Sequence, residues 1–303
     1  MLHNMSTTEK DNSKDSVVIT NICANCGKEG GDVTNTCNKC KMVKYCNAAC
    51  KKKHRSKHKK ACDRRITELH DEELFAIPPK EDCQICFMRI PILRTGRKRH
   101  TCCGKMICSG CVHAVRMRDG DGICPFCRAP ASTSDEEVIT RTKRRADDCD
   151  AEAIYSLGVY YSNGEYGFTQ NHAKAFELWN RAAELGSTDA YYNIGCVYLR
   201  GTGVEVDKKK ANHFWELAAM RGVCQARFNL GVHEFKKGNV KRAIKHYMIA
   251  AESDYNALEA IQTLHHFGKA TKEEYSQALR SYQAYLGEIK SRQRDEAAAF
   301  SDI

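Results

Sequence analysis

No stretch of the 303 residues approaches the ~20 consecutive apolar residues that a membrane-spanning helix needs. No secretory leader is expected either. Met1 to Ser16 is polar, and Val17-Val18-Ile19 is too short for an apolar signal core. Also absent are Ser/His/Asp or Cys/His nucleophile patterns, Gly-rich phosphate loops and Glu-bearing metal helices. The expectation is a soluble protein of a reducing compartment, cytoplasmic or nuclear, that forms no covalent intermediate.

Cysteine, in contrast, is abundant. The chain has 18, and fifteen of them fall between residues 23 and 127 in paired spacings. A Cys-x2-Cys pair lets two thiolates hold one tetrahedral zinc, with the intervening backbone turned back on itself. Net charge is +10, gathered in patches: residues 51–60 (KKKHRSKHKK), Arg97-Lys98-Arg99 and Lys143-Arg144-Arg145. Such patches attract acidic partners or nucleic acid, or simply form a solvated face. Base-stacking aromatics are not interleaved with them, so nucleic acid is the weakest of the three. The length allows two or three domains.

Residues 1–20 are rich in Ser, Thr, Asn, Lys and Asp, and are expected to be disordered. Residues 21–63 then carry Cys23-x2-Cys26, Cys37-x2-Cys40, Cys46-x3-Cys50 and His58-x3-Cys62. The first two pairs read as knuckles on loops. The last two read as helical, because four residues advance a helix by about 400° and drift only some 40° around its axis. Cys46 and Cys62 would then lie far apart around the helix. No single zinc gathers all four helical ligands, so each helical pair joins a different knuckle. His54 lies in the same register and is an alternative to His58.

This stretch resembles the MYND zinc finger, down to Tyr45 before Cys46 and the pair His58-Lys59. The resemblance implies two interleaved sites, Cys23/Cys26/Cys46/Cys50 and Cys37/Cys40/His58/Cys62, in a protein-docking module. Lys51 and Arg55 stand where the family often has Gln and Trp. Residues 64–80 are a connector, in which Ile66, Leu69 and Leu74 could form a short amphipathic helix before Pro78-Pro79.

Residues 81–131 hold Cys83-x2-Cys86, Cys102-Cys103, Cys108-x2-Cys111 and Cys124-Pro125-Phe126-Cys127. The spacing resembles a RING finger. The resemblance implies interleaved sites, Cys83/Cys86/Cys108/Cys111 and Cys102/Cys103/Cys124/Cys127, with His100 an alternative to Cys102. Across both modules, about four zinc ions are expected, each closed by four protein ligands and so unable to activate a substrate. RING-type ubiquitin ligases instead bind a ubiquitin-conjugating enzyme at their surface. The corresponding positions here are Ile85, Pro125 and Arg128, with Val112, Val115 or Met117 on the intervening helix.

From Ser134 a capping box (Ser134, Glu137) opens a helix, and an internal repeat follows within residues 134–287. Ala153-Ile-Tyr-Ser-Leu157-Gly158 returns as Ala190 to Gly195 and again as Ala226 to Gly231. Ala182-Ala183 returns as Ala218-Ala219 and Ala250-Ala251. Gly164, Gly201 and Gly238 fall where helices end in a left-handed cap. Small residues face large ones, among them Trp179 and Trp215. Cys196 and Cys224 sit inside the pattern as small core residues. The segment resembles the Sel-one-like repeat, a cousin of the tetratricopeptide repeat, with about three full units and a degenerate cap from Tyr255 to Leu286.

Residues 288–303 read as a polar tail. The fold expected is therefore multidomain: two small cross-brace zinc modules followed by an all-α solenoid. The function expected is a RING-type ubiquitin ligase that recruits substrates through the solenoid and the MYND-like finger. A non-catalytic protein-binding adaptor is the alternative.

Overall fold

The structure, a computed structural model, describes residues 21–92, 96–120 and 122–301. The expected disorder of residues 1–20 lies outside these. The chain divides into two compact units, with the boundary between Glu73 and Leu74.

In the first unit, β1 (Asn35–Thr36) pairs antiparallel with β2 (Lys44–Tyr45), and α1 (Ala48–Leu74) follows. The core is made largely of its own cysteines, with Val33 and Tyr45 fully enclosed. So small a core cannot offset the entropy of ordering the chain, and metal must supply the rest. The short amphipathic connector helix expected before the Pro pair is instead the last part of α1. No Gly or Pro interrupts residues 48–74, so nothing ends the helix earlier, and Arg65 braces it at Glu68 (3.3 Å) and Glu72 (2.8 Å).

The second unit begins with a small module. Its β3 (Arg97–Arg99) pairs antiparallel with β4 (Met106–Cys108), which runs into α2 (Ser109–Asp119). Then come α3 (Asp135–Asp147), α4 (Ala151–Asn163), α5 (His172–Glu184), α6 (Thr188–Arg200) and α7 (Lys208–Met220). The chain continues through α8 (Cys224–Lys236), α9 (Val240–Ala250), α10 (Tyr255–His266), α11 (Lys272–Ile289) and α12 (Arg292–Ser301).

Side chains set the helix starts. Asp150, Asn171, Asp207 and Asp254 accept from backbone N–H groups in the first turns of α4, α5, α7 and α10. Ser134 caps α3 as expected, but the Glu137 carboxylate reaches back to Thr133 N rather than to Ser134 (3.0 Å). The complete capping box is Thr271 with Glu274 on α11.

The repeat pattern is a packing pattern. Gly158, Gly195 and Gly231 each lie under a ring: Trp179, Trp215 and Tyr247. At Gly195 an added Cβ would come within 2.5 Å of Trp215 and 3.1 Å of the Ala211 carbonyl oxygen. A side chain there would force the two antiparallel helices apart. We therefore expect Gly195→Ala to lower stability by about 1–3 kcal/mol, as overpacked cores do, despite alanine's better helix propensity. Urea titration of wild type and variant checks this, and a stabilised variant would contradict it.

The basic patches are not one solvated surface. Arg145 is buried and pairs with Asp150 (2.6 Å), and Arg99 pairs with Glu152 (3.0 Å). Lys51 is half-buried and donates to the Thr36 carbonyl (2.9 Å) and to Asn38 (2.8 Å). Residues 288–303, expected as a polar tail, carry α12, which packs against α2 with Ala297 buried. Among the described residues no helix is long and apolar enough to cross a membrane.

Candidate metal centres

Four of the expected cysteine pairs build the same local turn. Cys23 N donates to Lys28 O and Gly27 N back to Cys23 O. Cys37 with Lys41, Cys83 with Phe87 and Cys124 with Arg128 repeat it. In each, the residue after the second cysteine is left-handed: Gly27 (φ 74°), Lys41 (56°), Phe87 (57°) and Arg128 (61°). Only one is glycine, so the turn is imposed by its hydrogen bonds and the intended metal rather than by residue preference.

The turn also prepares the thiols. Burial raises the Cys23 thiol, but N–H groups of Cys46, Cys26 and Asn25 outweigh this and bring it down to about 6. At Cys37 burial likewise opposes, the Cys40 and Lys39 N–H groups win, and the value falls to about 6. Thiolates are the ligand form, so these two thiols are ready for a cation at neutral pH. In the same groups the hydrogen bond with Cys50 pushes the Cys46 thiol up to about 12, and burial pushes that of Cys62 up to about 11, so binding metal must release those protons.

The ligand atoms converge in four groups, each with all members within 4.8 Å of one another. They are Cys23/Cys26/Cys46/Cys50, Cys37/Cys40/His58/Cys62, Cys83/Cys86/Cys108/Cys111 and Cys102/Cys103/Cys124/Cys127. The interleaving is what brings first and third pairs, and second and fourth pairs, together in both modules. Sulfur–sulfur separations are 3.7 Å for Cys26–Cys46, Cys37–Cys62, Cys83–Cys111, Cys86–Cys108 and Cys103–Cys124, and 3.6 Å for Cys46–Cys50. Tetrahedral zinc with ~2.3 Å bonds to sulfur sets thiolates about 3.8 Å apart, whereas a disulfide would set them about 2 Å apart. The residues fit zinc, about four ions per chain. Four protein ligands close each ion, so its part is to hold shape.

His58 lies in its group with Nε2 3.1 Å from Cys40 Sγ. The alternative, His54, is engaged elsewhere: its Nδ1 is 3.3 Å from Tyr45 Oη and its ring stacks on His58. Burial, then the neighbouring His58, lowers its pKa. His100, the alternative to Cys102, stays outside the second group. Its ring meets Phe126 edge-on and its buried Nε2 has no partner among the described residues. Cys224 is buried, and burial pushes its thiol up to about 12, as befits a small core residue.

Of the surface positions expected to meet a partner, Ile85 and Arg128 are exposed and Pro125 is half-buried. On α2, Met117 is exposed, while Val112 and Val115 are half-buried. Phe87, not singled out in the sequence, is 79% exposed beside the first knuckle. Its signal is an aromatic at the left-handed position where the first unit's knuckles have Gly and Lys.

Residues 23–62 match the family model of the MYND finger, and residues 151–187 and 188–223 each match that of the Sel1 repeat. The chain is 33% identical over 81 residues to chitin synthase regulatory factor 3 of Schizosaccharomyces pombe, covering 27% of this chain and 9% of that one. It is 30% identical over 115 residues to the ERAD-associated E3 ubiquitin-protein ligase component HRD3B of Arabidopsis thaliana, covering 37% and 18%. The match thus spans less than a fifth of either relative. A Sel1 repeat protein from Oxalobacter formigenes aligns structurally at TM-score 0.46 and 22% identity, covering 59% of this chain and 71% of that one. The chain thus carries a MYND finger, a second interleaved pair of four-cysteine clusters that fit zinc, and Sel1 repeats, which are modules of the zinc-binding and protein-interaction class.

Proposed function

We propose that the chain is a RING-type ubiquitin ligase subunit, cytosolic or nuclear, with residues 81–131 docking a ubiquitin-conjugating enzyme. The solenoid and MYND finger would gather the substrate. The observation that carries this reading is the apolar pair Ile85 and Phe87, exposed on the first knuckle of the interleaved module. Exposed apolar side chains beside each other favour a protein partner. Arg128, exposed after the last knuckle, adds a planar fork of donors that can bridge two proteins. HRD3B is named as a ubiquitin-ligase component, which supports a role in that chemistry without placing this chain's RING-like module in it.

In such a role the zinc ions hold the two knuckles at fixed spacing. Ile85 and Phe87 would supply apolar contact, and Arg128 would hydrogen-bond across the docked enzyme and its ubiquitin. No bond forms to this chain. The reading predicts ubiquitin-chain formation with a panel of conjugating enzymes. Arg128→Ala or Ile85→Ala should lower the rate at least tenfold, with zinc content unchanged. A fully metallated protein inactive with every enzyme tried would leave the adaptor reading alone.

A further inference from the structure

The C-terminal helix does more than extend the solenoid. On α2, Gly110 lies so close to α12 that an added Cβ would be 2.8 Å from Arg294 Cγ and 3.0 Å from Arg294 N. That close approach carries Arg294 inward, where it is only 7% exposed. Its Nη1 donates to Ile289 O at 2.7 Å, and its Nη2 reaches 4.0 Å from Cys86 Sγ. Its Nε is buried with no acceptor among the described residues. Further along α12, Phe300 packs on His113 and under Arg116.

A buried guanidinium without a carboxylate partner is costly unless negative charge lies nearby. Four thiolates around one divalent ion carry that charge, and their sulfurs accept N–H donors. We propose that Arg294 is a positioning residue of the Cys83/Cys86/Cys108/Cys111 site, donating to the Cys86 thiolate and balancing the site's charge. Through it, docking of α12 is coupled to metal retention in the RING-like module. Outer partners of metal ligands orient them and raise affinity by roughly 10–100-fold.

The full-length protein loaded with cadmium-113 should give four resonances, three from all-thiolate sites and one from the histidine-bearing site, by the four ligand groups. In Arg294→Met one all-thiolate resonance should shift while the other three stay. On the zinc protein, one ion in four should pass to a chelator roughly 10–100-fold faster. Arg294→Lys, which keeps the cation, should lie between. If no resonance moves, or if the two ions of residues 81–131 are lost together, Arg294 acts only through packing and the proposal fails. Only two resonances in the wild type would mean this module holds no metal, which overturns the proposal as well.

Discussion

A strong chelator is expected to unfold residues 21–73 and leave the repeats folded. The first unit encloses few large apolar side chains, and much of its core is the ligand sulfurs themselves. A structural zinc site contributes about 10–16 kcal/mol to folding in comparably small modules, which far exceeds what such a core offers. The repeats bury their own helix faces and hold no ligand. Limited proteolysis should therefore cut first around the β1–β2 hairpin, while a cooperative helical signal from residues 151–289 persists. Loss of the repeats at the same chelator concentration would refute this.

Acid should act in the same direction. Cys23 and Cys37 have folded values lowered to about 6 from an ordinary 9.0, so these two thiols bind protons less readily in the folded state than in the unfolded chain. Cys46 and Cys62, raised to about 12 and about 11, act the other way until metal displaces their protons. The contribution of Cys23 and Cys37 is complete above the ordinary thiol value and is lost as pH falls through about 6. Bound zinc pulls the values lower still, which places metal release in more acidic solution. Zinc content measured across a pH series, with retention at neutral pH and loss in acid, checks the sign.

The second large effect is expected at Trp215. Its ring is 2% exposed, covers Gly195 and packs with Leu74, Ala218, Ala219, Ala226 and Leu230. The neighbours are mostly alanines on rigid helices, which cannot collapse into the space. Trp215→Ala should cost about 3–5 kcal/mol, as for other deeply buried aromatics. The indole Nε1 is buried without an acceptor among the described residues. Trp215→Phe removes that unmet donor along with one ring, so it should cost less than about 2 kcal/mol. Denaturant midpoints for the two variants give the comparison. A Phe variant as damaged as the Ala variant would show that the second ring, not the filled volume, is what matters.

Zinc content should follow these variants in a telling way. Trp215 touches no ligand, so both of its variants should keep about four zinc ions while folded. Arg227 gives a contrasting case in the same region. It is buried with no carboxylate partner among the described residues, donates to Leu74 O (2.7 Å) and Ala219 O (2.9 Å), and burial lowers its pKa to about 10. It satisfies the carbonyls of Leu74 and of Ala219 in the last turn of α7, a use of arginine that no local pattern around Ala226-Arg-Phe announces.

The ligand pairs were legible in the sequence because the chemistry of each pair is local, and the resemblances supplied how the pairs interleave. Two cysteines three apart make a knuckle, and His58 and Cys62, four apart, share a face of α1. Cys46, expected on the same helix, instead lies just before Ala48 and meets Cys50 from the helix start, 3.6 Å away. The repeats were legible for a related reason. The spacing of Gly158, Gly195 and Gly231, with the paired alanines, records which small residues must lie beneath Trp179, Trp215 and Tyr247. The choices of His58 over His54 and Cys102 over His100 needed three dimensions. Spacing allowed both members of each pair, and in the fold Tyr45 engages His54 while His100 turns to Phe126.

By itself, then, the sequence determined the zinc ligand pattern, the helical repeat and the order of modules, since each depends on residues close together in the chain. Tertiary structure alone decided what the charges and the last helix do. Arg89 meets Glu252 at 2.9 Å and Glu288 at 2.8 Å, and Ile92 N donates to Tyr285 Oη at 3.1 Å, so the RING-like module is held against the end of the repeats. Those pairs lie more than 150 residues apart in the chain. A segment such as RQRDEAAAFS has too little apolar pattern to reveal that it would bury Arg294 beside Cys86. Long-range ion pairs and small-residue helix contacts leave no periodic trace, because their partners are chosen by the fold rather than by neighbours in sequence.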